Sequence, residues 1–117
     1  MKFYWYPKCS TCQRAKKYLD NIGADYEAIH IVEEHPSAET LKRYFEQSDY
    51  DIKRFFNTSG MKYRELKLKD KLPEMTEAEK LALLGTDGML VKRPLVVGDD
   101  FVLLGFKEAA WDAVFKK

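Results

Sequence analysis

The chain lacks the features that would mark it for a membrane, for nucleic acid or for secretion. No apolar run approaches the ~20 residues that a membrane helix needs. The opening Met1-Lys2-Phe3-Tyr4-Trp5-Tyr6-Pro7 has no long apolar core of the kind a signal peptide carries. Neither sign of charge prevails: 20 basic residues stand against 19 acidic ones, for a net charge of +1. That balance gives no support for direct contact with nucleic acid or for electrostatic attachment to a membrane. Small molecules and proteins remain as partners, and the cytoplasm is the expected compartment. No internal repeat, low-complexity tract or linker is present, so the 117 residues read as one domain, 1–117. Such a chain can bury roughly two thirds of its unfolded surface.

Cysteine is scarce. There are two, and a chain of this size needs no disulfide staple to fold. In a reducing compartment a persistent structural disulfide is not expected, so a closely spaced pair points to catalysis, redox sensing or metal binding. Both cysteines lie in Tyr6-Pro7-Lys8-Cys9-Ser10-Thr11-Cys12-Gln13-Arg14. This stretch follows the apolar run Phe3-Tyr4-Trp5 and precedes Ala15, Tyr18, Leu19 and Ile22 at helical spacing. A CxxC between a strand and a helix is a redox signal. With Cys9 at the helix start, free backbone N–H groups and the positive end of the macrodipole would stabilise its thiolate. Its pKa would then fall below the ~8.5 of a free cysteine. Cys12, about one turn further on, would share that face and attack an adduct formed on Cys9. Cys9 is thus the expected nucleophile and Cys12 the resolving thiol, with Lys8 and Arg14 adding positive charge nearby.

Two other readings of the pair are set aside. A zinc site would draw on His30 and His35, but 17 residues separate Cys12 from His30, His30 falls in a predicted strand and His35 precedes a proline. The zinc-finger geometry is not met, and no metal is expected. Cysteine-dependent phosphatases place an arginine six positions after the cysteine, where this chain has Ala15, with Arg14 one residue early.

Along the chain, Lys2 to Tyr6 reads as a central strand, ended by Pro7. The helix from about Ser10 closes at Gly23, and Asp25 to Val32 forms a second strand, parallel to the first through a right-handed crossover. Ser37 caps a helix with Leu41, Tyr44 and Phe45 on one face, and a short helical piece covers Ile52 to Phe56 before the turn Asn57-Thr58-Ser59-Gly60. Thr76 and Glu79 form a capping box for a helix through Leu84, stopped by Gly85. Leu95-Val96-Val97 and Phe101-Val102-Leu103-Leu104 make a hairpin across Gly98-Asp99-Asp100. A last helix from about Lys107 places Ala110, Trp111, Val114 and Phe115 on one face, with Lys116 and Lys117 at its negative end. Trp111, Tyr44, Phe45, Phe55 and Phe56 are expected in the core, whereas Lys67-Leu68-Lys69-Asp70-Lys71 and Glu33-Glu34 are expected to be solvated.

This order resembles an α/β thioredoxin-like fold: βαβ and ββα units in a mixed four-stranded sheet, with a helical insertion over about 37–85. The resemblance implies a proline, usually cis, before the third strand and facing the reactive cysteine, and Arg93-Pro94-Leu95-Val96-Val97 matches that placement. Four segments make the resemblance specific: Tyr6-Pro7-Lys8-Cys9-Ser10-Thr11-Cys12, Asn57-Thr58-Ser59-Gly60, Tyr63-Arg64-Glu65-Leu66 and Lys92-Arg93-Pro94-Leu95. Together they look like the glutaredoxin-related arsenate reductase (ArsC) and Spx family, in its short ArsC-like branch, over essentially the whole chain.

The resemblance implies Cys9 as the nucleophile and Arg93 as one of three arginines that hold an oxyanion in arsenate reductases. The other two positions fall near Asn57 and Phe106, so those guanidinium groups are missing, and Lys92, Lys62 or Arg64 are the cations left to compensate. The catalytic residues expected are Cys9, Cys12 and Arg93, with Lys8, Ser10, Thr11 and Pro94 binding substrate. The activity implied is thiol–disulfide oxidoreduction on a small oxyanion or oxidised thiol, with glutathione or a thioredoxin system as reductant. Neither metal nor organic cofactor is needed. The alternative is a redox-sensing regulator of the Spx type that binds the RNA polymerase α subunit.

Overall fold

Four β-strands and six α-helices among the described residues are built from short segments, of which two helices carry side-chain N-caps. A computed structural model of the protein describes residues 1–116, so the placement of Lys117 lies outside the described residues. Strand β1 (Lys2–Trp5) leads into helix α1 (Ser10–Asn21), then strand β2 (Glu27–His30). Helices α2 (Ala38–Gln47), α3 (Met61–Glu65), α4 (Leu68–Lys71) and α5 (Glu77–Leu84) follow. Strands β3 (Leu95–Val97) and β4 (Val102–Leu104) precede helix α6 (Glu108–Phe115). Short 3-10 turns at Ile52–Phe55, Leu72–Glu74 and Gly88–Leu90 complete the path.

The sheet order is β2-β1-β3-β4. Strand β1 pairs parallel with β2, in register Phe3 to Ala28, and antiparallel with β3, Phe3 opposite Val96. Strands β3 and β4 form the antiparallel hairpin. The sheet is therefore mixed and thioredoxin-like, with the aromatic β1 inside it, as its apolar character predicts.

Alternation along the strands divides the core. Tyr4, Ile29, Leu95, Val97 and Leu104 face one side, against Leu41, Tyr44, Phe55, Leu81 and Leu84 of the insertion. Phe3, Val96 and Leu103 face the other, against Ala15, Tyr18 and Leu19 of α1 and Trp111 of α6. A period of two in the strands thus meets a period of 3.6 in the helices on both faces. The polar tips of buried rings find partners: the hydroxyls of Tyr4 and Tyr44 lie 2.8 Å apart, and Trp111 Nε1 donates to Gly105 O at 3.1 Å.

The capping chemistry holds in detail. Ser37 accepts from Thr40 N, and Thr76 with Glu79 forms the reciprocal capping box. Gly23, at φ +68, closes α1 as a Schellman turn: its N–H donates to Asp20 O while Ala24 N–H donates to Leu19 O. This early stop leaves Ile22 one residue past the helix and 36% exposed, off the buried stripe that its spacing suggested. Strand β2 is shorter than Asp25 to Val32 because His30 Nδ1 accepts from the N–H groups of Val32 and Glu33, at 3.3 and 3.2 Å, and turns the chain. Leu68 departs from the solvated run around it, being 2% exposed, and Ala110 faces outward rather than into the core.

The insertion is tied to the segment that precedes β3. Asn57 N donates to Leu90 O at 2.8 Å and Lys92 N to Phe55 O at 2.7 Å, flanking an isolated bridge between Phe56 and Val91. Gly88 sits where that segment crosses the end of β2; a Cβ there would lie 1.9 Å from Ile31 O. Gly88→Ala must shift backbone against backbone. It should cost about 3 kcal/mol, at the upper end of ordinary overpacking. Urea unfolding that gave Gly88→Ala the wild-type midpoint would contradict the close approach.

Candidate active site at the first turn of helix α1

Pro7 follows β1 and turns the chain so that Cys9 N donates back to Tyr6 O at 2.9 Å. Cys9 then takes the N-cap position of α1, with extended backbone at φ −91 and ψ 121, and its carbonyl accepts from Gln13 N at 3.0 Å. No side chain caps this helix. The open amides of the first turn are left to the sulfur, and the N–H groups of Thr11 and Cys12 both favour its anion. Cys12, buried at 0% exposure, sits one turn on, and its sulfur accepts from Tyr6 N at 3.5 Å. Both cysteines are free thiols.

The environments of the two thiols separate their titrations. Burial works against the charged form of Cys9, but the Cys12 and Thr11 amides, the Cys12 thiol and the Arg93 guanidinium outweigh it, so its pKa falls below the ordinary cysteine value. For Cys12, burial dominates and the facing Cys9 charge adds to it. Its pKa is pushed up to about 12, although the Tyr6 amide acts in the opposite direction. One thiolate beside one protonated thiol is the pattern a nucleophile and its resolving partner require.

Arg93 is held from three sides. Its guanidinium stacks 5.3 Å from the centroid of the Tyr6 ring, and its Nη1 donates to Met89 O at 3.3 Å. With the Asn57 amide turned so that both its ends are satisfied, Oδ1 accepts from Arg93 Nη1 at 3.1 Å and Nη2 at 3.3 Å, while the nitrogen donates to Ser59 Oγ. Asn57 is itself buried, at 8% exposure. The Arg93-Pro94 peptide is cis, as the resemblance to thioredoxin-like proteins implied.

Cys9, Thr11 and Arg93 line one cleft of about 800 Å³, together with Asn57, Lys92 and Phe106. Lys8 and Ser10 are exposed and outside its lining, and Pro94 is buried behind it. Of the compensating cations considered, Lys92 lines the cleft, whereas Lys62 is drawn to Asp87 at 3.9 Å and Arg64 points elsewhere on the surface. Three contributors were not singled out as site residues from sequence. Asn57 was read only as part of a turn and as the place of a missing arginine, Arg54 carried no signal, and Lys107 was read only as the start of a helix. The chance to find Asn57 lay in its turn motif, whose side chain must be satisfied if the turn is buried.

The fold and this arrangement define a thioredoxin-like protein with a cysteine at a helix N-terminus, its pKa lowered. The ArsC family model matches residues 4–114, and the chain belongs to the ArsC family. It is 57% identical to the uncharacterized protein YusI of Bacillus subtilis over 108 residues, 92% of each chain. It is 28% identical to the regulatory protein MgsR of the same organism over 106 residues, 91% of this chain and 82% of that one. Among solved structures, a Bacteroides fragilis protein described as ArsC family related superposes with a TM-score of 0.94 at 52% identity, over 97% and 95% of the two chains. A "possible arsenate reductase" from Streptococcus mutans gives a TM-score of 0.89 at 47% identity, over 97% of each chain.

The depressed Cys9 pKa has a sign for stability. Its thiolate stabilises the fold fully above the unfolded thiol pKa, and this contribution is lost as pH falls through the lower folded pKa. Arg93→Met removes the cation beside the thiolate and Asn57→Ala frees it to move. Both should slow iodoacetamide alkylation of Cys9 at neutral pH, Arg93→Met more strongly. Wild-type rates in both variants would show that the guanidinium does not act on the sulfur.

Proposed function

We propose that the protein is a thiol–disulfide oxidoreductase with Cys9 as nucleophile and Cys12 as resolving thiol. The observation that carries this reading is the opposite displacement of two thiols one turn apart, the half-buried Cys9 at the mouth of the cleft toward thiolate and the buried Cys12 toward thiol. Cys9 thiolate attacks a sulfur of an oxidised substrate, forming a mixed disulfide and expelling the other sulfur as a thiolate. That step removes the Cys9 charge, which adds to burial in raising the Cys12 pKa, so Cys12 ionises more easily than before. Its thiolate then attacks Cys9 Sγ, releasing the reduced substrate and leaving a Cys9–Cys12 disulfide. An external dithiol, or two molecules of a monothiol such as glutathione, returns the two electrons. Arg93 stabilises the attacking anion and is the residue to which the resemblance assigns an arsenate oxygen. Arsenate is the second substrate to assay, with fewer guanidinium donors than the resemblance calls for.

The reading is tested with a model disulfide under a coupled reductant. Cys9→Ser should abolish turnover, and Cys12→Ser should accumulate a mixed disulfide on Cys9, visible as added mass in intact-protein mass spectrometry. Unchanged turnover in Cys9→Ser overturns the assignment.

A second reading is favoured by the likeness to MgsR, a regulatory protein by name. In it, the same dithiol would change binding to the RNA polymerase α subunit when oxidised. A pull-down with the purified α subunit separates the two. The oxidoreductase reading predicts no retention in either redox state, whereas retention in one state alone supports the regulator.

A further inference from the structure

A guanidinium holds an oxyanion by a fork, two parallel N–H groups on one edge meeting two oxygens at once. Arg93 has no such edge open. Its end, between Nη1 and Nη2, is closed by Asn57, whose Oδ1 accepts from these nitrogens at 3.1 and 3.3 Å. Nη1 also donates to Met89 O at 3.3 Å. On the opposite edge, between Nε and Nη2, the Nε atom is buried and has no hydrogen-bond partner among the described residues. An N–H closed to water is closed to a ligand oxygen as well.

Asn57 is fixed in this position from several directions. Its backbone N donates to Leu90 O at 2.8 Å, its backbone O accepts from Gly60 N at 3.1 Å, and its amide nitrogen donates to Ser59 Oγ at 3.3 Å. A Cβ at residue 60 would fall 2.7 Å from the end of that amide, so the glycine there leaves room for it. The charge of Arg93 survives this engagement. Coulomb attraction needs no free N–H, and the cation still favours the Cys9 thiolate. What Asn57 withholds is the geometry that an oxyanion requires, whereas a disulfide presents neutral sulfur to Cys9 and needs no fork. Arg14, Arg54, Lys92 and Lys107 also line the cleft, and they supply charge that does not pass through Asn57.

We propose that Asn57 is a positioning residue that sets specificity: by occupying the guanidinium of Arg93 it selects an oxidised sulfur over a tetrahedral oxyanion as the partner of Cys9. The proposal rests on the reading of Cys9 as the attacking thiolate, and it narrows the substrate class of that same site. Arg93 then acts on the sulfur as a fixed charge rather than on the substrate as a ligand.

Binding of inorganic phosphate, an oxyanion that thiols do not reduce, is measured by calorimetry on the reduced protein at fixed ionic strength. Asn57→Ala opens the end of the guanidinium and should bind phosphate about tenfold more tightly than wild type, the gain expected of one restored charge-assisted pair. Asn57→Asp keeps the shape and an acceptor against Arg93, and should bind phosphate more weakly than wild type. Opposite changes at one position separate the proposal from a loss of fold, which would lower binding in both variants. Asn57→Ala in an Arg93→Met background should bind phosphate no better than Arg93→Met alone, since the other cations of the cleft do not depend on Asn57. Wild-type phosphate affinity in Asn57→Ala or in Asn57→Asp overturns the assignment, and so does a gain that survives without Arg93. Turnover of a model disulfide reads Cys9 separately. The stated phosphate changes without turnover would support the clamp on Arg93 and overturn the role of Cys9, whereas turnover with unchanged phosphate affinity overturns the role of Asn57 alone.

Discussion

The first turn of α1 offers its amides to one sulfur, and most of the architecture serves to keep that sulfur in place. A helix that begins without a side-chain cap leaves donors unsatisfied. Here the Cys9 thiolate is the acceptor they face, and the stabilisation runs both ways: the anion satisfies the amides, and the amides lower the energy of the anion. Strand β1, inside the sheet, fixes where the helix starts. Tyr18, Leu19 and Trp111 then pin α1 against the sheet face, so that this end cannot drift. A protonated, buried Cys12 completes the arrangement without competing for the charge.

Arg93 is the second fixed point, and it depends on the insertion. The guanidinium belongs to the segment before β3, but Asn57 belongs to the helical insertion, and the Phe56–Val91 bridge locks the two together. The insertion therefore does more than cover one face of the sheet. It holds the cation against Tyr6 and toward the cleft. This also gives a physical meaning to asparagine at position 57. An arginine there would add a second positive charge beside Arg93, whereas the asparagine oxygen uses two of its N–H groups and leaves the cleft to collect charge from other elements.

Much of this was legible from residue order. The CxxC between an apolar strand and a helical pattern, the Gly23 stop, the Thr76–Glu79 box and the hairpin before α6 are local signals, and the structure contains each of them. What escaped were the consequences of tertiary contact. His30 ends β2 by accepting two amides from the following turn, which strand periodicity does not express. Ile22 and Ala110 fit an apolar stripe by spacing alone, but one lies past a Schellman turn and the other faces solvent. The environment of Arg93 needed Asn57 from a distant segment.

The most direct test is an ultraviolet titration of thiolate absorbance in the fully reduced protein, compared with Cys9→Ser. The account predicts that wild-type protein develops one thiolate below the ordinary cysteine range and a second only at strongly alkaline pH. In Cys9→Ser the lower step should vanish. Two thiols ionising together in the ordinary range, or a low step that survives removal of Cys9, would contradict the claim that the open end of α1 makes this sulfur an anion.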